Sequence, residues 1–356
     1  MSKNTRKKVA ILITSKGKPG GLERRFISIF LEASKRVDTD ITLICRESLS
    51  REFDSLRGAN VELFDGSGIL SVARSIAKVL KANNINHLHV AANPTLLSFS
   101  LGALGRLYGI VMTVSSVDSS KLSSNDFSLL SRFAHQGTYF FARKIDFLSS
   151  AIRVTHSKLF RFDTNKAAVA PCSFLASANR HSHRTNKEYD LCFVSRLVPL
   201  KGVEQLVLAL SIIKRPLVVR VCGEGELEKE FVKNEKAIAH HKLVLGYASD
   251  PASDLSQSKI FLSLQKYNNY PSQSLLEAMA CGCAVIASDV GETRMIVNEK
   301  NGKLVNSTEE LVKAIEELLS DVALREQLTA ESQSTIECIH TLENFMSYFC
   351  SRVLGL

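Results

Sequence analysis

None of the eight cysteines stands at a spacing that makes a zinc site or announces a disulfide framework. Cys45, Cys192 and Cys222 lie inside apolar runs and only Cys281 and Cys283 come close together, so a small fold held by metal or cross-links is excluded. No secretory leader is visible: Met1 to Lys8 is polar and basic, but the apolar run behind it, Val9 to Thr14, is strand-sized and enters a glycine loop. The longest apolar region, Thr95 to Val114, is interrupted by Gly102, Gly105, Arg106 and Gly109, which makes it helix, turn and strand rather than a membrane span. A cytoplasmic location is the expectation.

At 356 residues, 45% of them hydrophobic, the chain has a globular composition and exceeds what one core usually organises, which predicts two domains. Charge is uneven between them. Residues 1–172 carry 25 basic and 13 acidic side chains, a net +12, and the remainder carries 20 and 23, a net −3. A basic half suggests an anionic partner, which could be a membrane surface, a phosphorylated acceptor or nucleic acid. Within it, Arg132 to Lys158 interleaves Phe133, Tyr139, Phe140, Phe141 and Phe147 with Arg132, Arg143, Lys144, Arg153 and Lys158. Interfacial helices have this pattern, and so do ordinary amphipathic surface helices with snorkelling cations.

Short apolar runs alternate with helical periods from Val9 to Val114, the pattern of a parallel α/β domain. A polar, proline-free stretch breaks the alternation at residues 177–187, which reads as a linker. Strand-like runs then resume at Asp190 to Ser195, Leu217 to Cys222, Leu243 to Tyr247, Ile260 to Leu264 and Ala284 to Ser288, predicting a second α/β domain. The apolar stretch from Ile336 to Leu356 needs something to pack on and is expected to return to the first domain. The boundaries are therefore 1–176, 177–187, 188–335 and 336–356. Doubly wound domains bind ligands at the carboxyl ends of their strands, so two placed face to face would form a cleft between them.

The segment YPSQSLLEAMACG, Tyr270 to Gly282, combines a polar loop with a helix start. Leu275, Ala278, Met279 and Gly282 recur at helical spacing, which leaves Glu277 off the packed face near the helix N-terminus. Ser274 and Glu277 also stand in the spacing of a capping box, which would give Glu277 a purely local role. Two loops follow strands and carry glycine or cations. SKGKPGGLE, with Gly17, Gly20 and Gly21, suits an anion at a helix start, and FVSRLVPLKG sets Arg196 and Lys201 between strand and helix. Lys201 there opposes the helix dipole unless an anion is present. VCGEGELE adds a tight turn at Gly223 and Gly225. The spaced glycine fingerprint of dinucleotide enzymes is absent, and the second strand ends in Cys45 and Arg46 where a ribose-binding carboxylate is expected, so nicotinamide cofactors are not.

In their order along the chain these motifs resemble those of the glycosyltransferases of family 4, retaining enzymes of the two-domain GT-B fold that use nucleotide-diphosphate sugars. The resemblance covers nearly the whole chain: Gly20, Gly21, Glu23 and Arg24; Arg196, Lys201 and Gly202; GEGELE from Gly223; LLEAMACG from Leu275; and ASDVGE from Ala287. It implies two facing Rossmann-like α/β domains with an interdomain cleft. It also implies that Arg196 and Lys201 hold the donor diphosphate and that Glu277 accepts hydrogen bonds from ribose hydroxyls. Gly20 and Gly21 would face the phosphates, Gly223 and Gly225 would line the same edge, and backbone amides around Pro271, Ser272, Gln273 and Ser274 would complete the cradle.

Two positions depart from the family pattern. Asn269 stands where the family commonly has a first glutamate beside the donor sugar; an amide binds hydroxyls but brings no negative charge. Ser115 stands where many relatives carry an active-site histidine, with Ser116 and Asp118 nearby, and His89, beside His87 at the preceding strand end, is the candidate to supply an imidazole. The expectation is a hexosyl-type transferase moving sugar from a UDP- or GDP-sugar to a polysaccharide or lipid-linked oligosaccharide. Peripheral contact of the basic domain with an anionic membrane is expected; nucleic acid, metal and organic cofactor are not. Two alternatives remain open, a sugar-nucleotide epimerase of the same build and a catalytically weakened nucleotide-sugar-binding subunit.

Overall fold

The computed structural model describes residues 7–15, 20–35, 40–117, 127–175, 187–247, 250–268 and 270–356. The chain divides into two compact units, one running to Ser177 and including Leu342–Leu356, the other Ala178–Thr341. The first holds strands β1 (Lys8–Leu12), β2 (Asp40–Cys45), β3 (Val61–Leu63), β4 (His87–Val90), β5 (Val111–Ser116), β6 (Lys144–Phe147) and β7 (Ala167–Val169). They form one sheet in the order β3-β2-β1-β4-β5-β6-β7, every pairing parallel. The second unit holds β8 (Tyr189–Val194), β9 (Val218–Cys222), β10 (Lys242–Gly246), β11 (Ser258–Ser263), β12 (Ala284–Ser288) and β13 (Lys303–Val305). Its sheet, also parallel, runs β10-β9-β8-β11-β12-β13.

Helical crossovers cover both faces of a parallel sheet, which is why the central strands read as unbroken apolar runs. Val9 to Leu12 and Ala284 to Ser288 are buried at every residue. In the first unit one side of the sheet packs Phe26 and Phe30 of the Gly21–Ser34 helix against Val9 and Ile11, together with Phe345, Phe349 and Val353 of the C-terminal segment. Phe345 and Phe174 lie 4.9 Å apart between ring centroids, Phe349 and His89 also 4.9 Å, and the Tyr348 hydroxyl donates to Asp146 Oδ1 at 2.7 Å. Two buried phenylalanine rings removed from water contribute about 2 to 3 kcal/mol each, enough to hold the segment on this core.

Two sequence expectations are corrected. Residues 336–341, assigned to the returning segment, stay with the second unit, because Ile336 is buried there in the Val322–Cys338 helix and Asn301 Nδ2 donates to Thr335 Oγ1 at 3.3 Å. The aromatic and basic stretch from Arg132 to Lys158 is not one helix: it divides into the Leu129–Phe141 helix, strand β6 and the Ser150–Leu159 helix, with Phe147 fully buried in the sheet. The short strand, buried from Ile145 to Phe147, was hidden by the flanking helical periods. Among the described residues no helix is long and apolar enough to cross a membrane.

Candidate functional site

Strand order reverses between β8 and β11: the second sheet leaves β8 for β9 and β10 on one side and for β11, β12 and β13 on the other. Crossovers from β8 and β11 therefore diverge at their carboxyl ends, and a crevice at such a switch point is where doubly wound sheets take ligands. Arg196 and Lys201 follow β8, and Gln265 to Ser274 follow β11. Backbone contacts bind the two loops together. Lys266 N–H donates to Leu200 O at 3.0 Å, and Gly202, at φ 76°, lies where a Cβ would fall 2.0 Å from Leu264 O. Only glycine fits both conditions.

Lys201 ends a single 3-10 turn, Pro199–Lys201, immediately before the Val203–Ile212 helix. Its Nζ donates to Gln265 Oε1 at 2.9 Å. Burial, and then the charge of Arg196, push the Lys201 ammonium down to about 8 from 10.5. Among the described residues no carboxylate pairs with either cation. Two adjacent positive charges, one of them desolvated, make a site that favours a polyanion.

The Arg196 loop is held from the other side by β9. Leu197 N–H donates to Glu224 O and Leu227 N–H to Leu197 O, both at 2.9 Å, and a Cβ on Gly223 would sit 1.8 Å from Ser195 O. Gly223 and Gly225 thus owe their identity to the close approach of two backbones, and they fix Arg196 in place.

After β11 the chain passes a cis Tyr270–Pro271 bond and enters the Gln273–Ala280 helix with Ser272 as N-cap. Among the described residues no side chain caps this helix, whose start lies at the same strand ends as the cation loop. Ser272 Oγ and Ser274 Oγ lie 3.3 Å apart. The capping-box reading of Glu277 is excluded, because with Ser272 as cap the reciprocal position is the buried Leu275. Glu277 lies in the second turn, half-buried, while Leu275, Leu276, Ala278 and Met279 are buried around it.

Two polar residues that sequence reasoning passed over support the site. Gln265 orients Lys201, and Asn268 Oδ1 accepts from Tyr270 N–H at 3.3 Å and Glu292 N–H at 3.2 Å, tying the loop to the VGE turn after β12. A Cβ on Gly291 would lie 2.3 Å from Asn268 Cβ, which accounts for the glycine. The available signal was a buried amide within a few residues of a strand's carboxyl end. Asn269 itself lies outside the described residues, as do Gly17 and Asp118.

Among the first-unit candidates, His89 is corrected. It is fully buried in β4; its Nδ1 lies 2.9 Å from Thr113 Oγ1 and its Nε2 3.1 Å from Ser115 Oγ, and burial, then the neighbouring His87, push the imidazole down to about 3. Both nitrogens are used inside the core, so the ring reaches no substrate. Ser115, also fully buried, donates to Asp146 Oδ2 at 3.3 Å and belongs to the same internal chain. Gly20 is the N-cap of the Gly21–Ser34 helix, but its amide donates to Glu23 Oε2 at 2.7 Å, so it is not offered to a phosphate. Gly21 opens the helix beside it and is exposed.

Known proteins resemble the chain in both sequence and structure. An uncharacterised glycosyltransferase of Methanocaldococcus jannaschii is 31% identical over 149 residues, 38% of this chain and 37% of the relative. The N-acetylgalactosamine-N,N'-diacetylbacillosaminyl-diphospho-undecaprenol 4-alpha-N-acetylgalactosaminyltransferase of Campylobacter jejuni is 26% identical over 145 residues, 39% of this chain and 40% of the relative. The chain thus matches about two fifths of the length of these curated relatives. The crystal structure of Anabaena HepE in complex with UDP superposes with a TM-score of 0.77 at 18% identity, covering 98% of this chain and 100% of that one. The fold is GT-B, two Rossmann-like α/β domains in one chain, and residues 177–335, the part that carries the cation pair and Glu277, match the family model for glycosyl transferases group 1.

Proposed function

We propose that the chain moves a sugar from a UDP- or GDP-linked donor, with retention of configuration, to a polysaccharide or lipid-linked oligosaccharide. The observation that carries this reading is the pairing of Lys201 with Arg196 at the switch point, beside the start of the Gln273–Ala280 helix on the neighbouring crossover. In this reading Arg196, Lys201 and the amides of Ser272 to Ser274 receive the diphosphate, Glu277 receives the ribose hydroxyls, and Asn269 meets the sugar. The sugar C1–O bond to the diphosphate breaks as the acceptor oxygen bonds C1 on the same face, and the departing phosphate oxygen takes the acceptor proton. Charge gathers on the leaving group, where fixed cations and amides act most strongly. Because Arg196 and Lys201 supply that charge themselves, the reading asks for no metal or organic cofactor.

The donor class is supported by the neighbour solved with UDP, and the acceptor class by the C. jejuni relative, whose name specifies a diphospho-undecaprenol-linked sugar. An acceptor of that kind would be met at a membrane by the basic first unit, as a peripheral contact from the cytoplasmic side. The named relatives are transferases, which weighs against the epimerase reading. The test is incubation of the purified chain with a panel of UDP- and GDP-sugars, with and without membrane extract. Sugar incorporation into the extract is expected; conversion of a donor without acceptor favours epimerisation, tight nucleotide binding without transfer favours a binding subunit, and neither binding nor turnover removes the proposal.

A further inference from the structure

The Leu129–Phe141 helix is built inside out. Leu129, Leu130, Phe133 and Phe140 are 86%, 61%, 57% and 62% exposed, whereas the residues it buries are Ala134, His135, Thr138 and Tyr139. Leu129, Phe133 and Phe140 are spaced four and seven apart, so they share one outward stripe. The inward polar groups are partnered: His135 Nδ1 lies 2.8 Å from Ser131 O, Thr138 Oγ1 3.1 Å from Ser98 Oγ, and Tyr139 Oη 2.6 Å from His156 Nδ1. Rolling the helix to hide its apolar stripe would break the Thr138 and Tyr139 contacts to the neighbouring helices, so the exposure is fixed by the fold.

The stripe is also rigid. Phe99 of the adjacent Leu96–Tyr108 helix meets Phe133 edge-on at 5.2 Å and Phe141 at 5.8 Å, and Phe140 meets Phe141 at 5.1 Å. Gly137 makes room for this, since a Cβ there would lie 2.3 Å from the Phe99 ring. Among the described residues around the stripe the charge has one sign, Asp118 and Asp126 lying outside them. Arg132 and Arg143 flank it and Arg106 is exposed on the neighbouring helix, while residues 66–117 contain no Asp or Glu and residues 127–162 contain only Asp146, which is buried. A second copy docking here would set arginine against arginine. Apolar side chains rimmed by exposed arginines suit an anionic bilayer surface, where the rings enter the acyl boundary and the guanidinium groups meet headgroup phosphates.

We infer that the first unit docks on anionic membranes through the outward face of the Leu129–Phe141 helix, with Leu129, Phe133 and Phe140 inserted and Arg132 and Arg143 on the headgroups. The inference gives the membrane contact proposed above a definite surface, but it requires nothing of the sugar-transfer reading, and its test does not use activity.

The full chain is sedimented with vesicles of phosphatidylcholine mixed with phosphatidylglycerol, and with phosphatidylcholine alone. Binding to the mixed vesicles only, reversed by salt, is expected. Joint Leu129→Ser and Phe140→Ser substitution should weaken it about tenfold or more, and Arg132→Gln or Arg143→Gln about fivefold each. Leu129 is almost wholly exposed, so unchanged thermal unfolding of these variants separates docking from folding. The chain has no tryptophan, so Leu129→Trp provides a single reporter whose emission should shift to the blue on mixed vesicles alone. No sedimentation with the anionic vesicles, sedimentation indifferent to the serine variants, or a concentration-dependent dimer abolished by Leu129→Ser would each overturn the assignment.

Discussion

Lys201 Nζ and Gln265 Oε1 are joined at 2.9 Å between two crossovers that leave neighbouring strands in opposite directions along the sheet. The bond spans 64 residues of sequence and fixes the one desolvated ammonium of the site on a buried amide. Gln265→Leu keeps the volume and removes the acceptor, so Lys201 keeps its charge but loses its aim. A hydrogen bond from a charged donor contributes about 1.5 to 3 kcal/mol, and calorimetry should therefore show the variant binding UDP more weakly by about tenfold or more. Unaltered affinity would show that Gln265 has no part in positioning.

The same lysine predicts a pH dependence. Burial and then Arg196 lower it from 10.5 to about 8, so the empty site loses the Lys201 proton as pH rises through that value. A bound diphosphate favours the charged form and draws the pKa upward again, which makes binding proton-coupled between about 8 and 10.5. UDP affinity should be level below pH 8 and fall above it, with net proton uptake measurable by calorimetry in buffers of different ionisation enthalpy. Lys201→Arg keeps its charge throughout and should flatten the curve. A wild-type profile flat through pH 9 would contradict the anion assignment.

The fold was legible because its evidence is periodic. The runs Val9 to Ile13 and Ala284 to Ser288 are buried on both faces, as interior parallel strands are, and Gly202 follows Lys201 where two loops cross. What stayed hidden depends on partners distant in sequence. Lys144 to Phe147 is four residues of strand between two helices, and its Asp146 is tolerated because Ser115 and Tyr348, the latter 202 positions away, donate to it. His89 appeared available at a strand end because nothing local reveals that Thr113, Ser115 and the Phe349 ring enclose it. Gln265 and Asn268 were passed over because an amide acquires its role from what it is aimed at.

Enclosure of His87 and His89 has its own consequence. Burial dominates both shifts, aided by Lys7 and Arg143 for His87 and by His87 for His89, and lowers them to about 4 and about 3 from 6.5. Below pH 6.5 the unfolded chain takes up protons that the native core refuses, so stability falls with acid, by up to about 1.4 kcal/mol per pH unit for each ring, until the native pKa is reached. Urea unfolding at pH 7 and pH 5 should reveal the loss. His89→Ala should cost about 2 to 4 kcal/mol at neutral pH while the folded fraction turns over normally. Selective loss of kcat with unchanged stability would return His89 to the catalytic machinery.

Glu277 can be separated from its helix by choice of ligand. It sits in the second turn behind Ser272, so its carboxylate completes no capping box, and its favourable interaction with the helix dipole is limited to about 1 kcal/mol. Glu277→Gln keeps the side chain's size and its carbonyl acceptor, so the fold should stay intact. If the carboxylate accepts from ribose hydroxyls, the substitution removes charge-assisted bonds worth about 1.5 to 3 kcal/mol, and UDP should bind about 10- to 100-fold more weakly. Inorganic pyrophosphate has no ribose and should bind the variant as it binds the wild type, whereas Lys201→Ala should weaken both ligands. Equal losses for UDP and pyrophosphate in Glu277→Gln would mean that the residue acts through the shape of the helix start, and the ribose assignment would have to be abandoned.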